Sequence, residues 1–512
     1  MALAKTIMIQ GTSSHVGKSL LCTALCRIFK QDGFRVAPFK AQNMALNSYV
    51  TLAGGEIGRA QGAQAEAAGV EATVTMNPVL IKPKQDLNAQ IVVLGKPLAD
   101  MSARDYRAKF LPEAVSLVSQ CIDELRRKFQ VLVIEGAGSP AEVNLKDRDI
   151  VNMRTAMLAE APVILVADID RGGVFASLVG TLELLEPHER ERVAGFLINK
   201  FRGDLELLKP GLEFLEQRTG KPVLGVIPYL HEHGIEQEDS VALEGNVHVS
   251  AGSELDIVVI KLPRISNFTD FDLIGQVPGI SLRFVRPGEP LGTPDALILP
   301  GTKNTIEDLQ YLKEKGTDQV IIELARRGLP ILGICGGYQM LGKMLYDPWG
   351  TEASLGSETG LGLLNIETTF YQEKQTHRCK AKIICPEFMD GDVTNQEITG
   401  YEIHTGQVTL GNEVKPLLQI TQRSGRPAEL QDGAVNNQGT IWGTHLHGLF
   451  DNKSLLLTWI NSLRQAKGIQ KLTLAQLPEN REEKYDHLAE AVRQHLDMQK
   501  LYQMMGLGAG KP

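Results

Sequence analysis

Met8-Ile9-Gln10-Gly11-Thr12-Ser13-Ser14-His15-Val16-Gly17-Lys18-Ser19 reads as a strand, a glycine-bounded loop and the first turn of a helix. Such a loop turns backbone N–H groups toward phosphate oxygens, and the helix N-terminus adds positive potential. Lys18 can reach the terminal phosphates of ATP, and the Ser19 hydroxyl can hold Mg²⁺. Gly11, Thr12, Gly17, Lys18 and Ser19 are therefore the candidate ATP-binding residues. The common form of this loop has four residues between the first glycine and Gly-Lys, whereas here five intervene between Gly11 and Gly17. The strand before the loop and the helix after it supply the right context.

Working outward, nearly continuous apolar runs alternate with helical stretches: Thr6–Ile9, Val131–Ile134, Val163–Ala167, Gly195–Ile198 and Val223–Ile227. Runs of this kind suit parallel strands covered on both faces, and the alternation predicts a doubly wound α/β sheet. Glu135 closes one of these runs, in Ile134-Glu135-Gly136-Ala137-Gly138, at the strand end where ligands bind in open α/β sheets. It joins Ser19 as a candidate metal ligand. Asp168 and Asp170 follow another strand and are weaker candidates by the same reasoning.

The segment 231–253 is polar and carries the acidic run Glu236-Gln237-Glu238-Asp239, after which strand-like runs resume at Asp256–Leu262, Leu282–Val285, Ala296–Leu299 and Pro330–Ile334. The expected organisation is a first α/β domain over 1–235, a linker over 236–253, a second over 254–455 and a helical tail over 456–512. With 512 residues, 43% hydrophobic and 22% charged, each half can bury its own core. The formal net charge is -8 and no basic tail or long Lys/Arg run appears, so nucleic-acid binding loses support. No run approaches the roughly 18 apolar residues of a membrane span, and the apolar start is too short for a signal peptide. Six cysteines are too sparse for a disulfide framework, so a cytoplasmic protein with reduced thiols is expected. Cys22 and Cys26, four apart on a helix without metal-binding partners nearby, read as core residues.

In the second half, Leu332-Gly333-Ile334-Cys335-Gly336-Gly337-Tyr338 sets a cysteine in a tight strand-to-helix turn. Glycines let neighbouring backbone approach there, the helix N-terminus favours thiolate, and the Gly336 N–H can meet a developing oxyanion. A second donor is expected at Gly301, in Pro300-Gly301-Thr302-Lys303. A cysteine nucleophile needs a base. His445 and His447, in Gly443-Thr444-His445-Leu446-His447-Gly448-Leu449-Phe450, and His404 all qualify, and spacing alone does not choose among them.

The cysteine turn and the late histidines resemble class I glutamine amidotransferase domains, which release ammonia from glutamine through a cysteine thioester. The front half is similar to dethiobiotin-synthetase-type P-loop amidoligases, which share the five-residue loop spacing. Further stretches resemble the cobyric acid synthase family: Pro38 to Ser48 with Gln42-Asn43-Met44, Gly58-Arg59-Ala60-Gln61, Glu135 to Glu142, and Ile198-Asn199-Lys200-Phe201-Arg202-Gly203-Asp204. Together the likeness spans about residues 5–455. It implies two doubly wound, mainly parallel-sheet domains, P-loop NTPase-like followed by class I glutamine amidotransferase-like.

The resemblance assigns the catalytic pair to Cys335 and to His447, the histidine before Gly-Leu-Phe. Leu449 stands where the usual amidotransferase has a histidine-orienting Glu, so the third member is absent or supplied elsewhere. The family also implies ATP and Mg²⁺ as cofactors, with glutamine and a corrin polycarboxylate as substrates. The corresponding reaction is amidation of the b, d, e and g carboxylates of adenosylcobyrinic acid a,c-diamide. Lys40 would help neutralise the transferring phosphoryl group. Asn43 falls in the family-specific segment, and Arg59, Arg171, Arg202 and Lys200 are candidate carboxylate clamps. The reading leaves a homo-oligomer open. An amidoligase for another polycarboxylate, of the diamide synthase or cell-wall type, would share both halves. A regulatory P-loop ATPase switch would share the loop but leave Cys335 and His447 unexplained, and a scaffold with a degenerate second half would leave the intact cysteine turn unexplained.

Overall fold

The computed structural model describes residues 3–508 except 86–87, 103–105, 107–109, 147–148, 231–246, 249–252, 353–355, 386–388 and 390–392. Two compact units emerge: Met1–Ala45 with Glu56–Glu236 and Glu479–Pro512, and Leu46–Gly55 with Gln237–Pro478. Apart from 247–248 and 253, the expected linker lies outside the described residues, as does its acidic run.

In the first unit the elements run β1 (Lys5–Gly11), α1 (Lys18–Gln31), β2 (Val36–Phe39), β3 (Gln42–Met44), α2 (Arg59–Ala68), β4 (Val79–Gln85), β5 (Asn88–Val93), β6 (Lys96–Ser102), α3 (Leu111–Lys128), β7 (Val131–Glu135), β8 (Val163–Asp168), β9 (Val193–Phe201) and β10 (Val223–Pro228). The main sheet has the order β10-β9-β8-β1-β7-β2 and every pairing in it is parallel. Five of its six strands, all but β2, are the apolar runs of the sequence, and Ile7, Ile9, Val131, Val133, Ile164 and Val166 are fully buried. Burial on both faces removes any need for polar alternation. Between β2 and β7 the chain inserts a four-stranded sheet, β3-β4-β5-β6, that apolar runs alone do not announce. Cys22 and Cys26 sit in the core on α1, where burial pushes both thiols up.

The second unit runs β11 (Leu255–Ile260), β12 (Ile280–Val285), β13 (Ala296–Leu299), α4 (Thr305–Glu314), β14 (Ile331–Ile334), α5 (Gly336–Met340), β15 (Ile366–Ile383), β16 (Glu397–Leu410), β17 (Val414–Arg423), β18 (Arg426–Asn436), β19 (Ile441–Thr444) and α6 (Lys453–Ala466). Its sheet takes the order β12-β11-β13-β14-β19-β18-β17-β15 through these strands, and β16 pairs with β15. The five strands from β12 to β19 are parallel, and long antiparallel strands extend them. Both units are thus doubly wound α/β folds, the first with a purely parallel main sheet and an inserted mixed one, the second parallel at its centre.

The segment expected as a helical tail is divided between the units. α6 buries Leu455, Leu456, Trp459, Ile460 and Leu463 in the core of the second unit. α7 (Arg481–Arg493) and α8 (Met498–Met504) belong to the first, where Tyr485, Leu488, Ala489, Val492 and Leu501 join its core. The reason is the apolar face of α7, which must be buried for the helix to persist. Leu496 bridges Gly225 of β10, where a Cβ would stand 2.1 Å from His495 O. Glycine there lets the returning chain close the sheet edge. Among the described residues, no helix is long and apolar enough to cross a membrane.

Candidate active sites

In the second unit, β14 ends directly before Cys335, whose backbone takes φ 52° and ψ −109°. A non-glycine residue at positive φ is costly and persists only where its surroundings fix it. Here glycines fix it: a Cβ at Gly337 would lie 2.0 Å from Leu299 O, and one at Gly333 would lie 2.6 Å from Tyr338 Cα. The Cys335 amide donates to Thr444 O at 2.8 Å, which ties the turn to β19. The buried thiol lies 3.8 Å from Ile403 O.

A spacing of two would place His445 and His447 on one face of a strand, but β19 ends at Thr444 and the two rings meet different partners. His447 Nδ1 is 2.6 Å from Asp270 Oδ2, and the Gly448 amide donates to Asp270 Oδ1 at 2.9 Å. Tyr401 stacks on the imidazole at 5.1 Å, and its backbone exchanges hydrogen bonds with that of His447. Burial pushes the imidazole pKa down, but the Asp270 carboxylate and the Cys335 thiol outweigh it and raise it to about 10. The Asp270 carboxylate on Nδ1 thus favours the charged form of the His447 imidazole. Asp270 occupies the one-turn helix Phe268–Phe271 after β11. It fills the orienting position that Leu449, buried in the core, does not. Sequence reasoning missed it, and the available signal was its place in a loop beyond a parallel strand.

His445 instead has Nδ1 2.8 Å from Asp432 Oδ1 and Nε2 3.2 Å from Gln339 Nε2. His404 stacks on it with ring centroids 4.0 Å apart and turns Nδ1 to Gly406 O at 2.7 Å. Of the three histidines, His447 is the one whose charge the Cys335 thiol stabilises. Gly301 and Gly336 converge beside this pair. A Cβ at Gly301 would lie 2.9 Å from His447 Cε1, and one at Gly336 would lie 3.2 Å from Thr302 N. The Gly301 loop and the Cys335 turn thus pack directly against each other.

In the first unit, Gly17 has φ 99° and caps α1. A Cβ there would stand 2.2 Å from Asn199 Nδ2, which donates to Val16 O at 2.8 Å. The Thr12 amide donates to Val166 O, so the loop is tied to β8 and β9 at once. Lys18 Nζ is held by Ser13 O at 2.9 Å and Gly138 O at 3.1 Å. Lys200 Nζ donates to His15 O and to Asp168 Oδ2, both at 2.8 Å. Ser19 Oγ and Lys40 Nζ each lie 2.8 Å from Glu135 Oε1, and Gln64 Nε2 lies 2.6 Å from Oε2. Burial pushes the Glu135 carboxyl up, but the charge of Lys40 and the hydrogen bonds from Lys40, Gln64 and Ser19 hold it below its ordinary value. An ionised carboxylate sharing an oxygen with a serine hydroxyl suits Mg²⁺, which takes few protein ligands and keeps water and phosphate for the rest.

The remaining sequence candidates distribute unevenly. Asn43 is buried and donates to Gln61 Oε1 at 2.9 Å, and Arg59 is buried at the start of α2. The Arg171 side chain is 71% exposed and stands 3.8 Å from Asp168 Oδ2. Arg202 pairs with Asp170 at 3.0 Å and lies over the Tyr229 ring.

Comparison with known proteins follows the same division. Residues 7–239 match the CobQ/CobB/MinD/ParA nucleotide binding domain, and residues 256–455 match the CobB/CobQ-like glutamine amidotransferase domain. The chain is similar to the cobyric acid synthase of Desulforamulus reducens, with 85% identity across 100% of both chains. It is 52% identical to that of Pelotomaculum thermopropionicum, covering 99% of this chain and 97% of the other. The Moorella thermoacetica enzyme gives 52% over 99% and 98%. With a phosphate-loop unit followed by a thiol unit, each matched by its family model, and identity that runs the whole length, the chain belongs to the cobyric acid synthase family.

Proposed function

We propose that the protein is a glutamine-hydrolysing, ATP-dependent ligase that converts adenosylcobyrinic acid a,c-diamide to adenosylcobyric acid by amidating its b, d, e and g carboxylates. The observation that carries the reaction class is the presence, in one chain, of an acid–histidine–cysteine array and a phosphate loop with a buried carboxylate. The substrate rests on the full-length identity to cobyric acid synthases. We place the reaction in the cytoplasm, in cobalamin biosynthesis.

In the second unit, the Cys335 thiolate attacks the side-chain carboxamide of glutamine. The N–H groups of Gly336 and Gly301 face the oxyanion that forms. His447, protonated and oriented by Asp270, gives its proton to the departing ammonia and leaves a thioester on Cys335. The imidazole then takes a proton from water as glutamate is released.

In the first unit, a substrate carboxylate takes the γ-phosphoryl group of ATP to form an acyl phosphate. Ammonia attacks the acyl carbon, phosphate leaves, and an amide remains. Positioning and charge neutralisation carry such a transfer. Gly11, Thr12 and Gly17 supply the loop backbone, and Lys18 and Lys40 supply positive charge. Ser19 and Glu135 would hold Mg²⁺, whose chemistry here is to neutralise phosphate oxygens. Asn43 and Arg59 are assigned to substrate contact. Arg171 is a peripheral clamp at most, because its side chain is solvated.

The test is ADP release with glutamine, Mg-ATP and adenosylcobyrinic acid a,c-diamide, with the corrin followed by mass spectrometry. Replacement of OH by NH₂ at each of the b, d, e and g positions is expected. ATP turnover with an unchanged corrin would remove the substrate assignment.

A further inference from the structure

Glu135 Oε1 receives two donors at 2.8 Å, Lys40 Nζ and Ser19 Oγ, while Oε2 receives Gln64 Nε2 at 2.6 Å and Gln61 Nε2 at 3.4 Å. A carboxylate offers about four lone-pair directions, so this one is filled. The side chains of Lys40 and Glu135 are 6% and 1% exposed, and their charges are neutralised by pairing rather than by solvent. Yet Ser19 and Glu135 are also the oxygens suited to Mg²⁺. A divalent cation and an ammonium group compete for the same lone pairs of one buried oxygen and repel each other strongly there.

We propose that Lys40 is a displaceable counter-ion of Glu135. Lys40 occupies Glu135 Oε1 when no divalent cation is bound and leaves it when one is, which frees its ammonium for an anionic group of the reactants. This deepens the reading of the first unit as a phosphoryl-transfer site and rests on it. The exchange is a side-chain movement, because the backbone on either side of Lys40 is anchored. The Lys40 amide is fixed to Met76 O at 2.9 Å, and its carbonyl accepts from Asn77 Nδ2 at 3.0 Å. The four-carbon stem is the mobile part. Gln64 and Gln61, both neutral, stay on Oε2, so the carboxylate keeps its direction while its counter-ion changes. Cation affinity and the position of Lys40 are then linked reciprocally.

The test is Mn²⁺ binding to the full chain with saturating ADP, read as protein-bound Mn²⁺ by electron paramagnetic resonance. Lys40→Gln removes the competing charge and should tighten Mn²⁺ about tenfold, within the usual range of such couplings. Lys40→Arg keeps a cation and should show no gain. Unchanged or weaker binding in Lys40→Gln, in protein with the wild-type circular dichroism spectrum, overturns the proposal. Glu135→Gln examines the underlying reading separately. It should abolish the bound Mn²⁺ signal, and persistence of that signal would show that Glu135 is no metal ligand.

Discussion

At the thiol site of the second unit Cys335 and His447 are held by backbone and by Asp270, whereas at the phosphate loop of the first the cations are engaged with protein acceptors. Cys335 is fixed by a strained turn that glycines enforce, and His447 is fixed by Asp270 and the Tyr401 backbone. Lys18 rests on two carbonyl oxygens, and Lys40 and Ser19 rest on Glu135. The difference follows from what each site must bind. A glutamine carboxamide is neutral, so a rigid array can wait for it with little electrostatic cost. A nucleotide and its metal bring several charges, and lysines left without partners in a buried site would be costly until they arrived. Pre-organisation suits the first case and exchange of partners the second.

The largest expected effects separate the two sites. Cys335→Ser should lower glutamine-dependent synthesis by roughly 10⁴-fold or more, as loss of a nucleophile does. Synthesis from ammonia at high pH should persist, because the first unit is untouched. Loss of both activities would break the two-site account. Lys18→Met gives the converse. Synthesis should fall on the order of 10²–10³-fold with either nitrogen source, a scale set by loss of one charge-stabilising group. Glutamine hydrolysis should stay within a few-fold of wild type.

Asp270→Asn tests whether the orienting carboxylate has been identified. Asparagine keeps the shape but not the charge, so glutaminase turnover should drop by roughly 10³–10⁴-fold, the scale of comparable changes in hydrolytic triads. The pH profile sharpens the point. His447 is held at about 10 by Asp270 and Cys335, so its proton is retained through neutral pH and lost on the alkaline side. Without the carboxylate that alkaline limb should move to lower pH. Stability follows the same sign. A raised histidine pKa contributes stability that is fully present below about 6.5 and is lost as pH rises toward 10. Urea unfolding of the wild type should weaken across that window more than that of the variant.

What the sequence disclosed tracks how local each signal is. β1, β7, β8 and β13 were legible because parallel strands buried on both faces spell continuous apolar runs. The phosphate loop and the Cys335 turn were legible because glycine, charge and nucleophile fall within a dozen residues. β15, with Thr376-His377-Arg378-Cys379-Lys380, is half exposed and polar, and neither its length nor its antiparallel partners follow from apolar runs. Asp270 was missed for another reason, its loop position being too weak a signal to single it out. It lies 177 residues from His447, in a single turn with no periodicity, and only the sheet order brings the two together. The tail shows the same limit: helix was expected there, but not that it would be divided between the two units.

The smallest effect is expected at the second acid–histidine pair, which resembles the first in form and differs in what it serves. Burial works against the Asp432 charge, but His445, Thr444 and His404 hold its pKa at about 2, so it accepts hydrogen bonds as a carboxylate. His445 turns Nδ1 to Asp432 and Nε2 to the Gln339 amide nitrogen. The Gln339 amide is thereby oriented, with its nitrogen toward Nε2 and its oxygen accepting from Thr305 Oγ1 at 3.1 Å. His445→Gln retains a donor for Asp432 but cannot also accept on the opposite edge, because an amide carries both atoms at one end. Gln339 would lose a buried partner, at a cost of about 1–3 kcal/mol in unfolding free energy. Glutaminase kcat should change only a few-fold, since neither Cys335 nor His447 loses a contact. A loss on the scale of Asp270→Asn would mean that both histidines work on the thiol, and the contrast between a reacting pair and a supporting pair would fail.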